Sequence, residues 1–163
     1  MSMADSISSE NWSAPAPEKG QLALGNDLVF LPSFRQSCTE LFKRKVYSVE
    51  EAQYCEAFSD PTLRYASTFA AKEAAYKALK QLFSKGVLPW RSMQILRDGP
   101  SKRPFVRHPL LDRFCKHSLT ISHDGDYVWA SIAVVTQGEQ ACPPICPLLI
   151  STNPFVQLKR PKK

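Results

Sequence analysis

An acid and a base four residues apart, Glu73 and Lys77, could act on the same bound group. The surrounding sequence predicts a helix, in which side chains at this spacing emerge on one face about 6 Å apart. In most helices such a pair is only a solvated ion pair that contributes a few tenths of a kcal/mol. Here the neighbouring residues are mostly alanine, and long polar side chains above an alanine surface leave room for a ligand.

A second acid, Asp27, interrupts an apolar run over residues 22–31 that predicts a buried strand. An ionised carboxylate in a core costs several kcal/mol unless it is paired or coordinates a metal, so Asp27 requires a cation. Together with Glu73 it would provide hard oxygen ligands of the kind that Mg²⁺ accepts, with waters and phosphate oxygens completing the set. The alternative is that Asn26 and Asp27 lie in a turn and cap it.

A third polar group ends a predicted strand at Ser122, His123 and Asp124. These residues could equally begin a hairpin turn, where a lone histidine is more often structural than catalytic. No nucleophile-elbow pattern surrounds Ser122. Cys142 and Cys146 lack a second pair of ligands, which does not favour a zinc site.

Two helices are expected in this region, and the second one carries Glu73 and Lys77. Ser48 and Glu51 form a capping box that opens a short helix to about residue 58. Asp60, followed by a proline, caps a long alanine-rich helix that is expected to end at Gly86. A run of alanines along a helix indicates close approach to another element.

Strand patterns follow the helices. They cover residues 92–96 and 104–106 around one turn, and residues 119–122 and 127–135 around the turn Asp124-Gly125. Helices followed by mainly antiparallel strands predict an α+β fold in which the sheet packs on the long alanine-rich helix.

The length of 163 residues and the 44% hydrophobic content are typical of one globular domain with appendages. We expect an extended N-terminal segment over residues 1–20, a domain over residues 21–136 and a Pro-rich basic tail over residues 137–163. No apolar run is long enough to cross a bilayer. The five cysteines are odd in number and irregularly spaced, so reduced thiols are expected.

Four segments taken together, in this order, resemble the 4'-phosphopantetheinyl transferases, and specifically the short holo-acyl-carrier-protein synthase type. The resemblance extends from about Leu22 to Val135, and the segments that carry it are Gly25–Val29, Tyr47–Cys55, Arg64–Leu79 and Ser118–Asp124. The run Phe-Ala-Ala-Lys-Glu-Ala with a second lysine four residues after the glutamate is its most specific part.

The resemblance implies an enzyme that transfers 4'-phosphopantetheine from coenzyme A to a serine of an apo acyl carrier protein and releases 3',5'-ADP. Asp27 and Glu73 would bind Mg²⁺ together with the coenzyme A diphosphate. Lys77, and with less support Lys72, would contact the phosphates, and Glu73 or a water that it holds would accept the serine proton. A carrier of fatty acid biosynthesis is the implied partner.

The resemblance also places Ser122 and His123, with Lys102 and Pro104 of a loop between strands, at the coenzyme A end of the site. Members of the family usually have an arginine where this chain has Thr68. Short members are trimers with active sites between subunits, which makes a homotrimer possible.

The net charge of +6 suits anionic partners, which include coenzyme A, an acidic carrier protein or nucleic acid. The alternative function, of a different class, is a transferase fold retained as a docking or assembly factor in a larger complex, with RNA and a mitochondrial setting among the options. The mitochondrial matrix is the expected location, and the cytoplasm is the alternative. Neither a membrane insertion nor a legible targeting signal is predicted.

Overall fold

The computed structural model describes residues 16–83 and 88–138. Its helices are α1 (Leu31–Ser37), α2 (Glu40–Val46), α3 (Val49–Glu56), α4 (Pro61–Leu82) and α5 (Pro109–Phe114). Its strands are β1 (Leu22–Phe30), β2 (Gln94–Arg97), β3 (Pro104–Arg107), β4 (Cys115–Asp124) and β5 (Tyr127–Thr136). The strands form an antiparallel sheet of order β1-β5-β4 and a separate antiparallel β2-β3 pair. The predicted α+β fold with a mainly antiparallel sheet on a long helix is confirmed.

Strand β1 alternates between a face that packs on α4 and a face that is exposed. Ala23 and Val29 are buried on the inner face, whereas Leu24 and Leu28 are exposed on the outer one. Asp27 is paired with Ala130 of β5 inside this strand, so the alternative of a turn at Asn26 and Asp27 is wrong.

Helix α4 starts as the sequence predicts. The Asp60 carboxylate accepts a hydrogen bond from the Leu63 amide, and proline occupies the first helical position. The helix ends at Leu82, four residues before the expected Gly86, and residues 84–87 lie outside the described part of the chain.

The alanines of α4 bring the helix backbone close to the sheet. Ala70, Ala71, Ala74, Ala75 and Ala78 are fully buried. The interpretation that the alanine surface leaves room for a ligand is therefore wrong, because the sheet itself packs against these residues. The prediction of close approach is confirmed.

Two side chains from α4 also bind the free edge of β1. Gln81 Nε2 donates to the Leu24 carbonyl at 2.7 Å, and Lys77 Nζ donates to the Asn26 carbonyl at 2.9 Å. The helix is thus tied to the strand both by packing and by hydrogen bonds.

The capping box before α3 is present, since the Ser48 side chain accepts from the Glu51 amide and Glu51 accepts from the Ser48 amide. The short helices α1, α2 and α5 were not predicted, and β4 begins at Cys115 rather than near residue 119. No helix in residues 16–83 or 88–138 is long and apolar enough to span a membrane. Most of both predicted terminal segments lies outside the described residues.

Candidate active site

The structure brings Asp27, Glu73 and Lys77 together between β1 and α4. Asp27 lies on the inner face of β1, and Glu73 and Lys77 occupy successive turns of α4. Lys77 Nζ lies 2.7 Å from Asp27 Oδ1. The side chain of Asp27 is 16% exposed and that of Lys77 is 47% exposed, so the group opens to solvent on the lysine side.

The electrostatics of this group are dominated by its two carboxylates. The pKa of Glu73 is raised from its ordinary value, first by burial and second by the nearby Asp27 carboxylate, while Lys77 opposes the shift. Lys77 is one cation of the kind that Asp27 was expected to require. Lys77 supplies one positive charge for two acids.

The residues present fit a magnesium ion. Asp27 and Glu73 are hard oxygen donors from two different elements, and the Asp27 carboxylate is near enough to raise the pKa of Glu73. Within the described residues no cluster of three or more His, Cys, Asp and Glu side chains suited to a metal occurs. Mg²⁺ accepts such a two-carboxylate site because water and substrate phosphate oxygens complete its octahedron.

Lys72 does not lie in this group, although it precedes Glu73 directly. It is fully buried, and its ammonium lies 2.9 Å from Glu51 Oε2 and donates to the carbonyl oxygens of Trp90 and Met93. Burial lowers the pKa of Lys72, and Glu51 opposes that effect. Because all three ammonium protons are used inside the core, the expectation that Lys72 binds coenzyme A is not supported by its position.

Glu51 completes this internal network. Its second carboxylate oxygen accepts from the Ile95 amide at 2.7 Å, in addition to the bond to the Ser48 amide. The Glu51–Lys72 pair therefore ties α3, α4 and the start of β2 together. The sequence signalled only the capping function of Glu51.

Thr68, which stands where the family usually has arginine, also faces the core. It is 1% exposed, one turn before Lys72, and its hydroxyl lies 3.7 Å from the Cys55 sulfur. The position that departs from the expected pattern therefore lies at the contact between α3 and α4.

His123 and Ser122 lie on opposite faces of the sheet. His123 shares a row with Val128 and Val29, on the face that carries Asp27. It is two strand spacings, about 10 Å, from β1. Ser122 pairs with Trp129 on the outer face. Within one chain, therefore, Ser122 and His123 do not both lie on the face that carries Asp27.

Lys102 and Pro104 belong to the two-stranded sheet. Lys102 is exposed in the turn between β2 and β3, where it adopts a positive φ of 56°, and Pro104 pairs with Arg97 at the start of β3. This sheet meets the larger one where the Val106 amide donates to His117 Nε2 at 3.1 Å. Neither residue shares an element with Asp27, Glu73 or Lys77.

The outer face of the larger sheet was not identified from the sequence, yet this face carries most of the large exposed apolar side chains on the described residues. Its large exposed side chains are those of Leu22, Leu24, Leu28, Phe30, Tyr127, Trp129 and Val135. A shallow groove of about 300 Å³ crosses this face beside Leu24, Asn26 and Thr120. The signal in the sequence was that β1 carries its large apolar residues Leu22, Leu24, Leu28 and Phe30 on one face and smaller apolar residues on the other.

Comparison with known families accounts for the fold. The model of the 4'-phosphopantetheinyl transferase superfamily matches residues 23–132. The match covers most of the domain, from the start of β1 into β5, and the chain belongs to this superfamily.

The similarity extends to a particular group within it. A holo-[acyl-carrier-protein] synthase of Syntrophotalea carbinolica is 34% identical over 119 residues, covering 67% of this chain and 91% of the relative. A holo-[acyl-carrier-protein] synthase of Protochlamydia amoebophila is 34% identical over 122 residues, covering 68% and 98%. The predicted assignment to an enzyme of the holo-[acyl-carrier-protein] synthase type is confirmed.

Solved structures give the same result. The Chronobacterium ammoniagenes ACPS-CoA complex is similar with a TM-score of 0.61 and 27% identity, covering 72% of this chain and 98% of that chain. A synthase from Plasmodium yoelii shares the fold with a TM-score of 0.59 at 20% identity, covering 74% and 99%.

Proposed function

We propose that this chain transfers 4'-phosphopantetheine from coenzyme A to a serine of an apo acyl carrier protein, releases 3',5'-ADP and depends on Mg²⁺. The observation that carries the proposal is the convergence of Asp27, Glu73 and Lys77 at one opening between β1 and α4. Two acids and one lysine there suit a diphosphate bound through a divalent metal. The names of the relatives, and coenzyme A in a similar solved structure, support the same substrates.

In the proposed reaction the serine oxygen forms a bond to the β-phosphorus of coenzyme A, and the bond from that phosphorus to the bridging oxygen breaks. 3',5'-ADP departs with that oxygen. When bound, Mg²⁺ would neutralise charge that develops on the phosphate oxygens. Asp27 and Glu73 would hold it, and the Lys77 ammonium would stabilise the leaving phosphate.

Glu73 is the candidate acceptor of the serine proton, directly or through a water. Its raised pKa makes it a stronger base than an ordinary glutamate. Glu73 is half-buried on the side of α4 that faces β1, and this burial restricts the orientation of its carboxylate. Lys77, one turn further along, opposes that rise.

We also propose that the apolar outer face of the sheet joins subunits, as in the trimers of the short family members. A monomer rarely exposes a continuous apolar surface of this kind without a partner. Sites between subunits would let His123, Lys102 and Pro104 of one subunit reach coenzyme A held by the acids of another. The comparisons give no support to a docking or assembly factor.

The transfer is tested by incubating the full chain with coenzyme A, Mg²⁺ and an apo acyl carrier protein and measuring the intact mass of the carrier. We expect the carrier to gain one phosphopantetheine, and excess chelator to stop the reaction. Asp27→Asn and Glu73→Gln should each lower the rate at least about 100-fold, since each removes charge at the reacting phosphate. Lys45→Met, which removes an exposed lysine on α2, is the matched control. Normal turnover in chelator or in either acid variant would overturn the proposal.

A further inference from the structure

Lys77 makes two hydrogen bonds that direct its ammonium away from a bound phosphate, although its proposed function is to stabilise that phosphate. Its ammonium binds Asp27 Oδ1 at 2.7 Å and the Asn26 carbonyl at 2.9 Å. An ammonium held at both oxygens points at the strand, and the remaining proton alone is available for another acceptor.

The same ammonium lies beside an Asp27 oxygen that a metal would use as a ligand. Mg²⁺ binds carboxylate oxygens at about 2.1 Å and demands a near-ideal octahedron. The Asp27 Oδ1 lone pair that accepts from Lys77 at 2.7 Å is not available to the ion, and an ammonium so close repels a divalent cation at the other lone pairs of the same carboxylate. The two cations are therefore competitors for Asp27.

We propose that Lys77 acts as an internal competitor for the metal, displaced from Asp27 by Mg²⁺ and then held by the coenzyme A diphosphate. This inference rests on the proposed function of the site. The metal replaces the ammonium at Asp27, and the diphosphate gives the ammonium a new anionic partner. Metal and coenzyme A consequently bind with positive cooperativity, because each removes a cost that the other would bear alone.

The lysine side chain is suited to this exchange. It is a flexible four-carbon stem with a compact charge, and it is 47% exposed, so its head can turn without disturbing the core. The Glu73 carboxylate lies one turn earlier on the same helix and stays where the metal requires it. Only Lys77 has to move.

Metal affinity in the absence of coenzyme A tests the proposal without reference to turnover. Mn²⁺, whose bound and free forms are separated by electron paramagnetic resonance, is titrated into the full-length protein and three variants. Lys77→Met keeps the stem and removes the charge, Lys45→Met removes a charge from α2, and Asp27→Asn weakens the metal site itself. We expect Lys77→Met to bind Mn²⁺ about tenfold more tightly than the unchanged chain, Lys45→Met to match it, and Asp27→Asn to bind weakly.

A second measurement separates release of Lys77 from simple charge repulsion. Lysines are labelled with a limiting amount of an amine reagent and read by mass spectrometry. Mg²⁺ alone at saturation should increase labelling of Lys77 relative to Lys45, and coenzyme A added with it should reduce that labelling again. Equal Mn²⁺ affinity in the Lys77→Met variant, or labelling that ignores Mg²⁺, would overturn the competition while leaving the metal site intact. Absence of Mn²⁺ binding in every protein would instead overturn the metal site of the proposed function, and the competition with it.

Discussion

Gly25 of β1 lies so close to Ala74 of α4 that a Cβ atom on Gly25 would come within 1.9 Å of the Ala74 carbonyl oxygen. The obstructing atom belongs to the backbone of a helix and cannot turn aside. This contact lies two residues from Asp27 and one from Glu73. The spacing that serves packing therefore also sets the distance between the two proposed metal ligands.

The first prediction concerns that contact. Gly25→Ala should reduce the free energy of unfolding by about 3 kcal/mol, because overpacking forces α4 away from β1. Urea unfolding of this variant measures the loss. Gly99→Ala is the matched control, since a Cβ there meets nothing within 4 Å, and it should change stability by less than about 0.5 kcal/mol. Similar values for both variants would show that the sheet and helix can separate freely.

The second prediction concerns the buried pair of Glu51 and Lys72. Lys72→Met should cost about 3–5 kcal/mol, because it leaves the Glu51 carboxylate charged and without its cation in the core. The double variant with Glu51→Gln should recover part of that loss, since neither charge is then left alone. Urea unfolding of both single variants and the double variant gives the coupling energy. Strictly additive losses would mean that the two groups do not act as a pair.

The third prediction is acid destabilisation through His108. Burial lowers the pKa of this histidine to about 4, and its Nδ1 accepts from the Leu110 amide at the start of α5. The folded-state pKa is below the unfolded value of 6.5, so the unfolded chain takes up the proton first. Stability from this group is complete above pH 6.5 and is lost as the pH falls toward 4.

The size of that effect is about 2 kcal/mol between pH 7.5 and pH 5. His108→Asn keeps a capping oxygen but does not titrate, so its free energy of unfolding should fall less over the same range. His117 also has a pKa lowered by burial, and it accepts a hydrogen bond from the Val106 amide. Because His117 is present in both proteins, its titration cancels when their pH profiles are compared. Parallel pH profiles for the two proteins would contradict the assignment to His108.

The fourth prediction concerns the outer face of the sheet. Leu24→Asp should convert an assembled protein into monomers, because it places a charge in the centre of the proposed subunit contact. Leu41→Asp on α2 is the control, since Leu41 is 56% exposed and Leu24 is 61% exposed. Light scattering after size exclusion gives the mass. A monomeric unchanged chain, or an assembly that tolerates Leu24→Asp, would contradict the proposal of a trimer through this face.

Parts of the site could be predicted because their signals are local. A charged residue in an apolar strand, and an acid four residues before a lysine, are visible in the sequence without any knowledge of the fold. The structure brings Asp27, Glu73 and Lys77 together as their types and spacing indicated. Capping chemistry likewise fixed the starts of α3 and α4.

Other features depend on contacts between distant residues. Lys72 and Glu73 are neighbours separated by about 100° on the helix, and only the packing of α4 decides which one turns inward. The partner of Lys72 is 21 residues earlier, in a helix whose glutamate already had a capping function. Helices α1 and α2 are two turns each, too short for a reliable apolar period.

The exposed leucines of β1 were also ambiguous. A strand with apolar residues on both faces is predicted to be buried on both sides, which is correct only for the inner face of β1 in the single chain. What covers the other face is a property of the assembly. Sequence periodicity cannot distinguish a second layer of the same domain from a neighbouring subunit.

The hydrogen bonds from Gln81 and Lys77 to β1 have a consequence for solubility. Within the described residues β1 is an edge strand, and an unpaired edge is a template on which other chains can add strands and aggregate. The carbonyl groups of Leu24 and Asn26 already accept from these two side chains, so an incoming strand finds its acceptors taken. Helix α4 thus makes the edge of β1 a poorer template for added strands. This protection is weaker when the Lys77 ammonium leaves the Asn26 carbonyl.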